Sequence, residues 1–103
     1  MSPTLDLRKK YGGNSRQALA RAIRTECVCG SEILRREVLA FRAIQAIRGG
    51  ESEQDLAARW RNYTLAHGAR VECENVVRER YGMPARSSCE LPPIPSPNRA
   101  GPR

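Results

Sequence analysis

Four cysteines, a single histidine and a glycine-rich turn beside basic residues are the parts of this sequence that could carry chemistry. Zinc is held by closely spaced thiolates and imidazoles, with roughly two to four residues inside each ligand pair. Cys27-Val28-Cys29 has a single spacer, and Cys73 and Cys89 stand far downstream, so the spacing predicts no metal site. Cys27 and Cys73 fall on apolar faces of predicted helices and read as small buried hydrophobes with free thiols. Were the compartment oxidising, four cysteines would permit three pairings, of which Cys27 with Cys73 and Cys29 with Cys89 is the first to test, because it staples helix faces and then the tail.

His67 follows Leu56, Trp60 and Tyr63 on one stripe and precedes Gly68, which reads as the end or a bend of its helix. A histidine in a last turn can bond the final carbonyls and favours the helix dipole. A general base needs a partner within reach, and none is visible in the sequence. Nucleophile elbow, paired-carboxylate and Walker motifs are missing as well, so the expectation is a non-catalytic chain that needs no cofactor. Gly12-Gly13-Asn14-Ser15-Arg16 is the one stretch that could hold a phosphate, because it opens onto a helix N-terminus with Lys9 and Lys10 just before it. A helix stop followed by a cap explains the same letters, and no strand precedes them.

These residues need a frame, and composition bounds it. With 103 residues there is room for one small domain. Hydrophobic content of 40% and charged content of 28% are those of a folding chain, with a thin aliphatic core because aromatics make up only 5%. The charge is +7, and of the 18 basic residues all but Lys9 and Lys10 are Arg. Arg presents a planar fork of donors suited to carboxylates and phosphates. Most of the excess falls in residues 1–50, where Arg8, Lys9, Lys10, Arg16, Arg21 and Arg24 are the candidate anion or nucleic-acid contacts. Such contacts to RNA or DNA phosphates position a chain without reading sequence. A helix-turn-helix over residues 54–77 fits poorly, since Arg61 or Asn62 stands where the turn glycine belongs and Glu72, Glu74 and Glu79 would repel phosphate. The sequence holds no apolar run long enough to span a membrane and no secretory h-region, so the expected location is cytosolic or organellar.

Caps and stops mark the elements. Ser2-Pro3 starts a short helix that Gly12-Gly13 ends, and Asn14-Ser15 caps a second helix through about Cys27. The second helix gathers Ala18, Leu19, Ala22, Ile23 and Cys27 on one face, with Gln17, Arg21 and Arg24 opposite. From Glu32 to Arg48 runs the strongest pattern, an apolar arc from Ile33 to Ile47 that includes Val38 and is centred on Phe41, closed by Gly49-Gly50. Ser52 opens a capping-box pattern with Asp55 in the Glu position. A further helix is expected over residues 69–81, stopped by Gly82 and Pro84.

The fold expected is therefore all-α, a small bundle of three to four short helices with an extended proline-rich C-terminal tail. The division falls between a basic helical domain, 1–83, and a tail, 84–103, which holds six of the seven prolines. Leu91, Pro92, Pro93, Ile94 and Pro95 are the residues by which that tail would lie across a partner. The function expected is that of an accessory or structural subunit bound among the protein subunits of a larger assembly. The alternative is a sequence-nonspecific nucleic-acid binder acting through residues 8–24.

Overall fold

The computed structural model describes residues 3–87, with side chains from Asp6 onward, and every element among them is a helix. The helices are α1 (Pro3–Tyr11), α2 (Ser15–Glu26), α3 (Gly30–Gln45) and α4 (Glu53–Arg80). Gly12 and Gly13 join α1 to α2 at φ 77° and 75°, the left-handed region that a side chain would resist. Asn14 then caps α2 reciprocally: its Oδ1 accepts from the Gln17 amide and Gln17 Oε1 accepts from the Asn14 amide, both at 2.9 Å. Ser52 Oγ accepts from the Asp55 amide at 3.0 Å to start α4. The Asp55 carboxylate pairs with Arg59 at 3.3 Å.

The main departure from expectation is α4. Gly68 does not end it, and the two helices read from the sequence are one helix of 28 residues. A mid-helix glycine costs about 1 kcal/mol relative to alanine, which tertiary packing along the whole length of α4 outweighs. A Cβ built at Gly68 would meet nothing within 4 Å. Gly68→Ala should therefore raise stability by about 0.5–1 kcal/mol in thermal melts. A lower melting temperature would contradict an unbroken, uncrowded helix at this point.

α4 is the spine of the fold. α3 runs antiparallel to it, so that Phe41 meets Tyr63 with ring centroids 5.6 Å apart and Arg59 Nη1 donates to the Ala43 carbonyl at 2.8 Å. One apolar cluster joins Ala40, Ile44 and Ile47 to Tyr63, with Phe41, Leu56 and Trp60 packed around them. The buried ring is Tyr63, while Phe41 is half-buried and Val38 is exposed. The other cluster, built by Leu7 of α1, Ala18, Ala22 and Ile23 of α2 and Val77 of α4, lies toward the far end of the spine. The α2 face anticipated from its periodicity is the one buried there. Met83 packs on the same cluster, and Asn75 holds the main chain of Arg86 in both directions, at 2.8 and 2.9 Å. Residues 88–103, including Cys89 and Leu91 to Pro95, lie outside the described residues. No described helix is long and apolar enough to cross a membrane.

Candidate functional site

Between the two apolar clusters α4 turns polar side chains inward beside the buried Val71. His67, Arg70 and Glu74 recur at three- and four-residue intervals on the same stripe as Tyr63 and Val77, so helical geometry aims them all at α3 and α2. On α3, Glu37 occupies the matching gap in the stripe formed by Ile33, Ala40 and Ile44. The His67 Nδ1–H donates to Glu37 Oε2 at 2.8 Å, since a carboxylate can only accept. Arg70 Nε donates to both Glu37 oxygens, at 3.0 and 3.3 Å, and Arg70 Nη1 continues to Glu74. Arg78 Nε reaches the other Glu74 oxygen at 2.6 Å, and Arg86 Nη1 stands 3.8 Å away. Glu74 is 3% exposed.

The electrostatics follow from this geometry. Burial pulls the Arg70 guanidinium down, but the Glu37 hydrogen bonds and charge, with Glu74 behind them, outweigh it and hold its pKa above the ordinary arginine value. Burial pushes the Tyr63 phenol up, and the Glu37 charge adds to that. A carboxylate behind a histidine can orient a general base. Here, however, His67 is buried, and its Nε2 is closed to solvent and has no hydrogen-bond partner among the described residues. The histidine thus stands in the interior of α4 as a packed member of an ionic row, not at a helix end as the Gly68 reading implied.

A second polar knot closes the opposite end. Glu26, in the last turn of α2, accepts from the Tyr11 hydroxyl, from the Tyr81 hydroxyl at 2.9 Å and from Arg80 Nη1 at 3.1 Å, with Lys10 Nζ at 3.8 Å. The Tyr11 hydrogen bond, followed by those from Tyr81 and Arg80, holds the Glu26 carboxyl below its ordinary 4.5 against the effect of burial. Burial and that carboxylate push the Tyr11 phenol well above its usual range. A depressed folded-state pKa contributes stability that is complete above the unfolded value and is lost as pH falls through the folded one. Glu26→Gln should therefore lower the melting temperature most at neutral pH, and the difference from wild type should shrink steadily below about pH 4.5. A pH-independent difference would mean that the carboxylate charge is not what holds the knot.

The six residues anticipated as anion contacts separate into two groups. Arg8 Nε donates to the Gly13 carbonyl at 3.0 Å and Arg21 Nη1 to the Tyr11 carbonyl at 2.8 Å, while Lys10 joins Glu26. These three fasten the α1–α2 turn. Lys9, Arg16 and Arg24 are exposed and carry no ion pair among the described residues. The Gly12–Asn14 turn has its Asn14 and Gln17 amides taken by its own side chains, so those donors are spent on the cap.

The described cysteines are free thiols. Cys27 Sγ donates to the Cys73 carbonyl at 3.4 Å, so the two residues expected on facing apolar surfaces do meet. Burial, reinforced by Cys73, pushes the Cys27 thiol up. Cys29 is exposed at φ 57° between α2 and α3. Among the described residues no group of three or more metal-ligating side chains comes together.

Glu37, Arg70 and Arg78 carried no sequence expectation, and Glu74 only that of repelling phosphate. A signal was there: Glu37 and Glu74 interrupt otherwise inward stripes, and Arg70 and Arg78 flank Glu74 at four-residue spacing on either side. The chain matches no protein-family model, no curated protein and no solved structure.

Proposed function

We propose that this chain is a small non-catalytic accessory subunit that docks among the proteins of a larger assembly. One observation supports the reading above others: large aliphatic side chains stand on the outside of a domain short of core, with Leu65 68% exposed, Leu39 49% and Val38 48%. Single exposed aliphatics are ordinary, but Leu39 and Leu65 line one depression, and Leu39 lines a second together with Val38. Glu37 is engaged by His67 and Arg70, and Glu74 by Arg70 and Arg78. Leu91 to Pro95, outside the described residues, would add a second contact under this proposal.

Affinity purification of the full chain from its native cells tests it. An accessory subunit elutes with fixed proportions of other proteins, and nuclease treatment leaves them bound. The alternative, nucleic-acid binding, draws on Lys9, Arg16 and Arg24, whose charges are unspent among the described residues. It requires that nuclease strip the partners away and that affinity fall with salt at a log–log slope near about −0.9 per duplex phosphate contacted. A chain that elutes alone contradicts both readings.

A further inference from the structure

α3 and α4 leave an open trough of about 460 Å³ between them that neither α1 nor α2 helps to line. Its apolar lining combines Ala40, Ala66 and Ala69 with Ile33, Leu39 and Leu65. Ala40 is buried and the other two alanines are half-buried, while Leu39 and Leu65 stand exposed at the edges. Small residues beneath with leucines at the margins let a third helix approach closely and seat its own side chains between them.

Guanidiniums predominate along this trough and the hollows beside it. Leu39 is shared with a depression toward α2 that is lined by Arg24, Arg35 and Arg42, and Leu65 with one that is lined by Arg59 and Arg61. Arg36 lines the trough itself, and no carboxylate lines any of the three hollows. Arg36 is paired with Glu32 and Arg59 with Asp55, whereas Arg24, Arg35, Arg42 and Arg61 have no ion pair among the described residues.

We infer that the α3–α4 trough receives an amphipathic α-helix of a partner protein whose apolar ridge carries anchors at three- and four-residue spacing and whose flanks are acidic. This inference rests on the accessory-subunit reading and narrows it to one surface and one class of partner. Other occupants fit less well. Phosphates would satisfy the guanidiniums but leave Leu39 and Leu65 in water. A second copy docked through the same face would bring Arg35, Arg42 and Arg61 against a like-charged surface. The chain's own residues 88–103 carry Glu90 alone against Arg99 and Arg103, so they lack the complementary charge.

The test is a display library of amphipathic helices, with polar faces ranging from Asp/Glu-rich to Lys/Arg-rich, selected on the full-length chain. Acidic-faced helices should be enriched. Binding of a selected peptide should weaken about tenfold or more with Leu39→Ser, with Leu65→Ser and with the Arg35→Glu/Arg42→Glu pair. Val28→Ser, at an exposed position outside the three hollows, should leave it unchanged. All these positions are exposed, and circular dichroism verifies that each variant stays helical. Enrichment of basic helices overturns the inference, and so does the lack of any selected helix that depends on Leu39 and Leu65. It fails equally if a DNA or RNA duplex competes the peptide away and binds with an affinity that ignores Leu39→Ser and Leu65→Ser. Sedimentation in native-cell extract separates the two proposals. A Leu39→Ser/Leu65→Ser chain that still travels with its assembly removes the trough as the docking site and leaves the accessory role standing. A wild-type chain that sediments as a monomer removes the accessory role itself.

Discussion

Glu74→Gln should unfold the protein at temperatures where the wild-type chain is intact. Glu74 is 3% exposed and binds Arg70 and Arg78, with Arg86 close by. Neutralising it leaves guanidiniums crowded together with their central counter-charge gone. Removing one partner of a buried ion pair costs about 3–5 kcal/mol, a large part of the roughly 5–15 kcal/mol that holds a whole domain together. Glu72→Gln, two residues away on the exposed side of the same helix, is the matched control and should move stability by less than about 0.5 kcal/mol. Urea melts of the two variants decide it. Equal midpoints would show that the ionic row does not form in solution.

Gly30→Ala should be nearly as damaging, for a purely steric reason. The first residue of α3 is buried against the last turns of α2, and a Cβ there would stand 1.9 Å from the Ile23 carbonyl oxygen and 2.7 Å from its carbon. Both atoms are backbone, so no rotamer change relieves the overlap. Either the Cys27–Cys29 turn opens or α3 withdraws from Ile23, at no less than the ~1–3 kcal/mol typical of an overpacked core. The contrast with Gly68→Ala is the informative part, since the same substitution is expected to have opposite signs at two helical glycines. A Gly30→Ala chain that melts with wild type would mean that α2 and α3 do not meet at this closeness.

The sequence made the helices legible where the period of the apolar residues and the caps agree. Asn14, Ser52 as an N-cap and the Ala18–Cys27 face behave as their chemistry predicts, whereas Asp55, expected to close a capping box, turns to Arg59 instead. The role of Gly30 was not legible, because nothing in a sequence tells a glycine needed for its φ from one needed for the space it leaves. Gly68 misled in the opposite direction. The polar stretch in the middle of α4 breaks the apolar pattern there, so local composition argued for two helices where a long-range fit to α3 makes one. Val38 was assigned to the buried arc because a period alone cannot say how much of a helix its neighbours cover. The ionic row was the least legible part. Pairing Glu37 with His67 and Arg70 needs two helices aligned antiparallel in the right register, which no single segment encodes.

The split of the core into two apolar clusters with charges between them has a consequence for how the molecule breathes. The cluster around Tyr63 and the one around Ile23 and Val77 share α4 but no buried side chain. If each loosens while the other stays closed, local opening at the α1–α2 end leaves undisturbed the end where the Trp60 and Tyr63 rings meet at a tilt. Amides in residues 53–66 and in residues 70–80 of one continuous helix would then exchange with solvent at separate rates, governed by separate free energies. The Glu37 bonds to His67 and Arg70, where the two stretches meet, can be satisfied in one alignment of α3 and α4 only, so the two ends loosen without the helices slipping past each other.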